Sequence, residues 1–336
     1  MGRVKLSMHK VFKRHILQRI DDEGDGKLSL MFKRAVAMVR RQFPKADELQ
    51  TPTSETVVEC EKCLPHVLSL VSIFQDWAPK IDPTFDFATL LADTGTNYMW
   101  ERGLSADAVA ILDLGARVCV ALSHLETINP VHADICAIAG SVHETIGLSG
   151  RAAALEECDK ALKLREERLK LCEGRGEAVT RFIMLQLANA WNDVGFVKLS
   201  YGDFEAALHY FLESYRIKQE HATEDHIPWH YGETFKNLAL VKLHQGDKTG
   251  AEEAARRSCE LCCQGRLETD ASTQKARSLL GIVLMNTDKV DEALGLHKGV
   301  YNVRKEILGE TNLHTKNTLY LIAELYRLKG KLVKAE

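Results

Sequence analysis

Residues 191–211, WNDVGFVKLSYGDFEAALHYF, place small side chains at Gly195, Gly202 and Ala207. The same offsets return as Ala239, Gly246 and Ala251, as Gly281, Asp288 and Ala293, and as Ala323, Gly330 and Ala335. Successive sets lie 44, 42 and 42 residues apart. A period of this length marks stacked supersecondary units, each too small to bury its own apolar face. The first small residue of a set lets two helices cross closely. The glycine or aspartate ends the first helix in left-handed geometry, and the alanine completes the contact. Trp191, Phe235 and Leu319 stand one turn before the crossing position and are expected to fill the core between hairpins, as Phe211 does from the second helix of its unit.

Composition agrees with a helical array. The chain has 336 residues, 45% of them hydrophobic, and only 7 prolines. Abundant Ala, Leu, Glu, Lys and Arg favour helices, so the expected class is all-α. The net charge of −3 gives no electrostatic case for a nucleic-acid or membrane partner. The first 45 residues differ, with twelve Lys and Arg against four Asp and Glu; a solvated helix face beside a neighbouring domain is the expectation there. No signal peptide or membrane span is evident, and nine scattered cysteines suit a reducing, cytoplasmic setting.

The repeated offsets are the tetratricopeptide pattern. The period near 42, with Asn237 and Asn317 in first helices, resembles the longer kinesin-light-chain type, and EILGETNLHTKNTLYLIAELYRLKGKLVKAE is similar to it over most of a unit. That resemblance implies a right-handed α-solenoid of about six helical hairpins over residues 46–336, degenerate to about 175 and clearer from 185 onward. Weaker units carry turn glycines at Gly150, with Ala154 and Ala161, and at Gly103, with Ala106 and Ala108. The segments LSMHKVFKRHILQRI, MFKRAVAMVRRQFP and CLPHVLSLVSIF resemble the region following the nucleotide-binding module of fungal NLR-like (NB-ARC/tetratricopeptide) proteins. This implies that residues 1–45 form a basic helical segment, the remnant of a winged-helix element. The chain stops at Glu336 inside an expected second helix, so a partner covering that end, or descent from a longer protein, is expected. The sequence contains no G-x-x-x-x-G-K-[ST] phosphate loop, so ATP-driven switching does not carry over.

Several local motifs suggest chemistry. Residues 21–32, DDEGDGKLSLMF, set Asp21, Glu23, Asp25, Gly26 and Leu28 as a calcium loop requires, but Phe32 stands where its bidentate glutamate belongs, so a polar turn is expected. CEKC (Cys60, Cys63) and CELCC (Cys259, Cys262, Cys263) each lack the second pair of a zinc site and read as small hydrophobes on one helical face. HATEDHIPWHYGE gathers His221, Glu224, Asp225, His226, His230 and Glu233, but Asp225 and Pro228 read as helix-start signals in a connector. His143 and Glu144 lack the second histidine of a zinc helix, and no nucleophile elbow occurs. No catalytic residue, metal or cofactor is assigned. The expected role is recognition of a protein or peptide, with an acidic one favoured, in a concave groove made by the first helix of each unit. Asn189, Asn192, Lys236, Asn237, Lys275, Ser278, Asn317 and Tyr320 are the groove candidates. The alternative is an accessory protein or enzyme of a specialised pathway that uses the interior as a small-molecule pocket.

Overall fold

A computed structural model describes residues 10–24, 26–45, 53–100, 102–264 and 266–330. Among these described residues fourteen α-helices run in chain order: α1 Lys10–Asp22, α2 Lys27–Gln42, α3 Ser54–Trp77, α4 Phe85–Thr94, α5 Ser105–Ala121, α6 Ile128–Thr145 and α7 Arg151–Gly174, then α8 Arg181–Ser200, α9 Phe204–His221, α10 Pro228–His244, α11 Lys248–Cys263, α12 Ala271–Asn286, α13 Val290–Leu308 and α14 Leu313–Leu328. A π-helical turn, Gly95–Met99, follows α4. Among the described residues there is no strand, and no helix is long and apolar enough to cross a membrane.

Local sequence explains the hairpins. Gly202, Gly246, Asp288 and Gly330 all adopt positive φ, between 66° and 82°. Glycine meets this geometry without a side-chain clash, and aspartate is among the few other residues that tolerate it. After Gly202 and Gly246 an aspartate caps the next helix: Asp203 accepts from the amide of Ala206 at 3.2 Å, and Asp247 from that of Gly250 at 2.9 Å. A Gly-Asp pair therefore ends one helix and starts the next within two residues. Ala207, Ala251 and Ala293 are fully buried. At Gly195 a Cβ would stand 2.7 Å from the Phe211 ring, so the α8/α9 hairpin closes only because that atom is absent. In the weaker α6/α7 unit the left-handed residue is Gly147. Gly150 has negative φ and caps α7, where a side chain would collide with the His143 carbonyl.

Trp191 and Phe235 are partly buried against the hairpin cores, and Phe211 is completely buried. Leu319, expected in the core, is 50% exposed. Its place on α14 has no further hairpin stacked on it among the described residues, so the contact that would bury it is not made. Ala335 lies outside the described residues.

The basic first segment packs into the array. Leu28, Phe32 and Val36 of α2 share one core with Phe74 of α3 and Phe87 of α4. Phe32 meets Phe74 and Phe87 at ring-centroid distances of 5.7 and 5.2 Å, so the residue that broke the calcium pattern is a core aromatic. Asp21 pairs with Lys80 at 2.5 Å and Glu23 with Lys27 at 3.1 Å; Asp25 lies outside the described residues. Cys60 is buried in the same core and Cys63 packs against it. Burial pushes the Cys60 thiol up to about 12, which suits a small hydrophobe.

One inter-unit contact recurs with the period. Lys218 of α9 is buried and donates to the His230 carbonyl at 3.1 Å and to Thr234 Oγ1 at 2.8 Å on α10. Arg304 of α13 donates to the His314 carbonyl at 3.3 Å and to Thr318 Oγ1 at 2.8 Å on α14. Each cation staples the second helix of one unit to the first turns of the next, joining a carbonyl that the threonine hydroxyl four residues on also bonds. Cys262 holds the same position in the unit between them.

Candidate functional site: a chamber on the inner face

The inner helices α6, α8, α10 and α12 surround a cavity of about 820 Å3. The superhelix curls until its ends meet across the mouth. The Arg102 guanidinium donates to the Ile307 carbonyl at 3.1 Å and to Glu61 at 2.6 Å. Asn312 returns a bond to the Arg102 carbonyl at 3.0 Å, and the Lys275 ammonium lies 3.5 Å from the centroid of the Trp100 ring. Trp100 caps the π turn, its amide donating to the Gly95 carbonyl. A second cavity, about 350 Å3, lies at the same junction between α3 and α12–α14. We expect Arg102→Ala combined with Asn312→Ala to open the ring. A larger radius of gyration by small-angle scattering at unchanged helicity is the expected result; an unchanged radius would show that these bonds do not hold the ends together.

The sequence candidates divide between the chamber and elsewhere. Asn189, Asn192, Lys236, Asn237 and Lys275 line it. Ser278 is buried in α12 and does not reach it, while Asn317 and Tyr320 are exposed on α14 outside it. Each of the five makes a local contact. Asn237 Nδ2 donates to Asn192 Oδ1 at 3.0 Å, from one inner helix to the next. His230 Nδ1 meets Asn189 Oδ1 at 3.0 Å. Lys236 pairs with Glu233 and lies 5.6 Å from the Phe196 ring. Asn237 is buried, and its Oδ1 receives no hydrogen bond.

Other lining groups escaped the sequence reading. Arg165 and Arg168 extend from α7, an outer helix, into the wall: Arg165 pairs with Asp134 at 2.9 Å and Arg168 reaches Gln186 at 3.5 Å. Arg40 of α2 pairs with Asp93 at 2.8 Å. His230, which had read as part of a connector, points inward from the first turn of α10, and Pro228 is the first residue of that helix. His226 instead bonds Thr223 at 2.8 Å, so the connector histidines do not converge. No set of three His, Cys, Asp or Glu among the described residues could hold a metal ion.

The chamber perturbs its ionisable groups. Burial raises the Asp193 carboxyl to about 6, against the pull of Arg165 and Lys218. Desolvation lowers the Lys218 ammonium to about 8, against the attraction of Asp193 and Glu233. Burial also raises the carboxyls of Asp134 and Glu144. Seven Lys and Arg face five Asp and Glu around the cavity, so the wall is polar, internally paired and modestly cationic.

Residues 273–314, covering most of α12, all of α13 and the start of α14, match the tetratricopeptide repeat family. No curated protein matches the sequence. Among solved structures, NprR in complex with its cognate peptide NprX aligns with a TM-score of 0.60 at 13% identity, over 96% of this chain and 82% of that one. A Rap protein complexed with Competence and Sporulation Factor aligns with a TM-score of 0.51 at 13% identity, over 96% and 81%. The apo form of the quorum sensor NprR from B. thuringiensis gives 0.51 at 12% identity, over 96% and 91%. At these identities the likeness is one of fold: an all-α solenoid of tetratricopeptide type.

Proposed function

We propose that this protein is an interaction scaffold that takes a short, extended peptide segment into the chamber. The observation that carries the reading is the row of lining amides Asn189, Asn192 and Asn237, in which Asn192 and Asn237 bond across adjacent inner helices. Lining amides fixed in this way can meet a peptide backbone without reading the side chains beside it. The cavity volume falls in the range of about 300–1,000 Å3 typical of ligand sites. The excess of cationic lining favours an acidic segment. The aligned NprR and Rap structures, described as complexes with a peptide or factor, support the same use of the fold.

The test is fluorescence anisotropy with labelled eight-residue peptide pools, graded from acidic to basic, against the wild type and Asn237→Ala. Binding of acidic pools, weakened about tenfold or more in the variant, is the expected result, since a lost buried hydrogen bond is worth about 1–3 kcal/mol. Absence of binding by every pool, or equal binding by the variant, would overturn it.

A second reading is supported by the closed seam and by Asp134, Asp193, Glu233 and His230 facing one cavity: a small-molecule pocket in a specialised pathway. Native mass spectrometry that finds a small molecule bound to the purified protein, with no peptide competing for it, would favour this alternative. The 42-residue period supports the kinesin-light-chain-like repeat type, and the N-terminal resemblance supports a role in fungal NLR-like signalling. The nine free cysteines support a cytoplasmic setting.

A further inference from the structure

The last turn of α11 carries a feature unrelated to the chamber wall. Cys259 and Cys263, one helical turn apart, hold their sulfurs 3.9 Å from each other, and both are partly exposed. Cys262, between them in sequence, is 1% exposed and faces Gly232 of α10. Arg277 of α12, held by Glu268 in a two-pronged ion pair, lies against Cys263. The contact with Cys259, followed by the Arg277 charge, draws the Cys263 thiol below its ordinary range and raises that of its partner. Cys63 has similar partial exposure without a touching thiol, and burial raises it.

We propose that Cys259 and Cys263 form a dithiol that hydrogen peroxide oxidises to an intramolecular disulfide. The Cys263 thiolate attacks the distal oxygen of the peroxide, the O–O bond breaks, and the departing hydroxide leaves as water after taking a proton from solvent. The resulting sulfenic acid is attacked by the Cys259 sulfur. The S–O bond breaks, the S–S bond forms, and the Cys259 proton leaves with the hydroxide as a second water. The peroxide is reduced by two electrons and the thiol pair is oxidised by two.

Helical geometry sets the structural consequence. Side chains four residues apart have Cβ atoms about 5–6 Å apart, whereas a disulfide needs about 3.5–4.5 Å. The turn must therefore give. Cys263 is the final residue of α11 and Gln264 beyond it is already extended, so little helix is lost. That turn leads into the connector before α12, whose Gln274 and Lys275 line the cavity at the seam.

The test uses the full chain treated with hydrogen peroxide, denatured, alkylated and digested with trypsin. All three thiols fall in one peptide, residues 258–266, SCELCCQGR. The expected product is that peptide about 2 Da lighter before alkylation and carrying a single alkyl group, on Cys262. In Cys259→Ser, dimedone is expected to trap Cys263 as the sulfenic acid about tenfold faster than it labels Cys63. Oxidation of Cys263 no faster than that of Cys63, or a disulfide that includes Cys262, would overturn the proposal. The wild-type digest decides the pairing even if a variant folds poorly.

Discussion

Phe211→Ala is expected to lower the unfolding free energy by about 3–5 kcal/mol, the usual range for truncating a fully buried phenylalanine. Phe211 has no exposed surface and packs across the α8/α9 hairpin against Gly195. The ring and the missing Cβ are complementary, which gives the prediction a second, stricter form. Gly195→Ala in the wild type places a methyl 2.7 Å from one ring carbon and 2.8 Å from another, so the hairpin must spread. In a Phe211→Leu background the obstructing ring edge is gone. The same glycine substitution should then cost at least about 1 kcal/mol less, a coupling within the usual range for residues in contact. Urea denaturation of the four proteins in this cycle measures the effect. Additive costs would mean that Phe211 and Gly195 do not fill one another's space.

Acid sensitivity is the second large effect, and its sign follows from burial. His297 of α13 is fully buried with neither ring nitrogen hydrogen-bonded. Desolvation, then Arg304, lowers it to about 4, and His314 is lowered to about 4 by burial, then by Arg304 and Lys275. Above pH 6.5 both rings are neutral in either state and add no slope. As pH falls from 6.5 towards 4 the unfolded chain takes up the proton and the native protein does not, so stability is lost across that window. For His297 the loss is about 3 kcal/mol by pH 4, at roughly 1.4 kcal/mol per pH unit. His314 adds less because it is partly exposed. Asp193 works in the opposite direction: its native carboxyl binds a proton near pH 6, before the unfolded one does, so it adds stability over part of the same interval. The net slope in the wild type is therefore smaller than the histidines alone would give. Comparing wild type with His297→Leu isolates one contribution, whatever the variant's baseline stability. Their difference in unfolding free energy should shift by about 3 kcal/mol in favour of the variant between pH 7 and pH 4. A difference that does not change with pH would rule out a neutral, desolvated His297.

The repeat architecture was legible in the chain because its determinants are local. A left-handed turn residue and two small crossing residues act within a dozen positions, so their recurrence at 42–44 residues specified the hairpins and identified Phe211 as a core group. The inner helices were legible for the same reason, which is how Asn189, Asn192, Lys236, Asn237 and Lys275 were found before the fold was known. The staple formed by Lys218 and Arg304 also follows the period, but a buried cation and an exposed one look alike in a sequence. Other features depend on how far the superhelix curls. Small rotations summed over many units bring Arg102 against Ile307 and Trp100 against Lys275, across more than 170 residues of chain, and no local spacing encodes that sum. The curl turns a concave surface into a chamber, and it leaves Asn317 and Tyr320 outside. Arg165 reaches the wall from an outer helix and Arg40 from the basic first segment, because enclosure is set by packing between units. The sequence alone determined the unit, its turns and its inner face; the cavity, its buried charges and the seam across its mouth were decided only by the tertiary structure, where desolvation and long-range contact arise together.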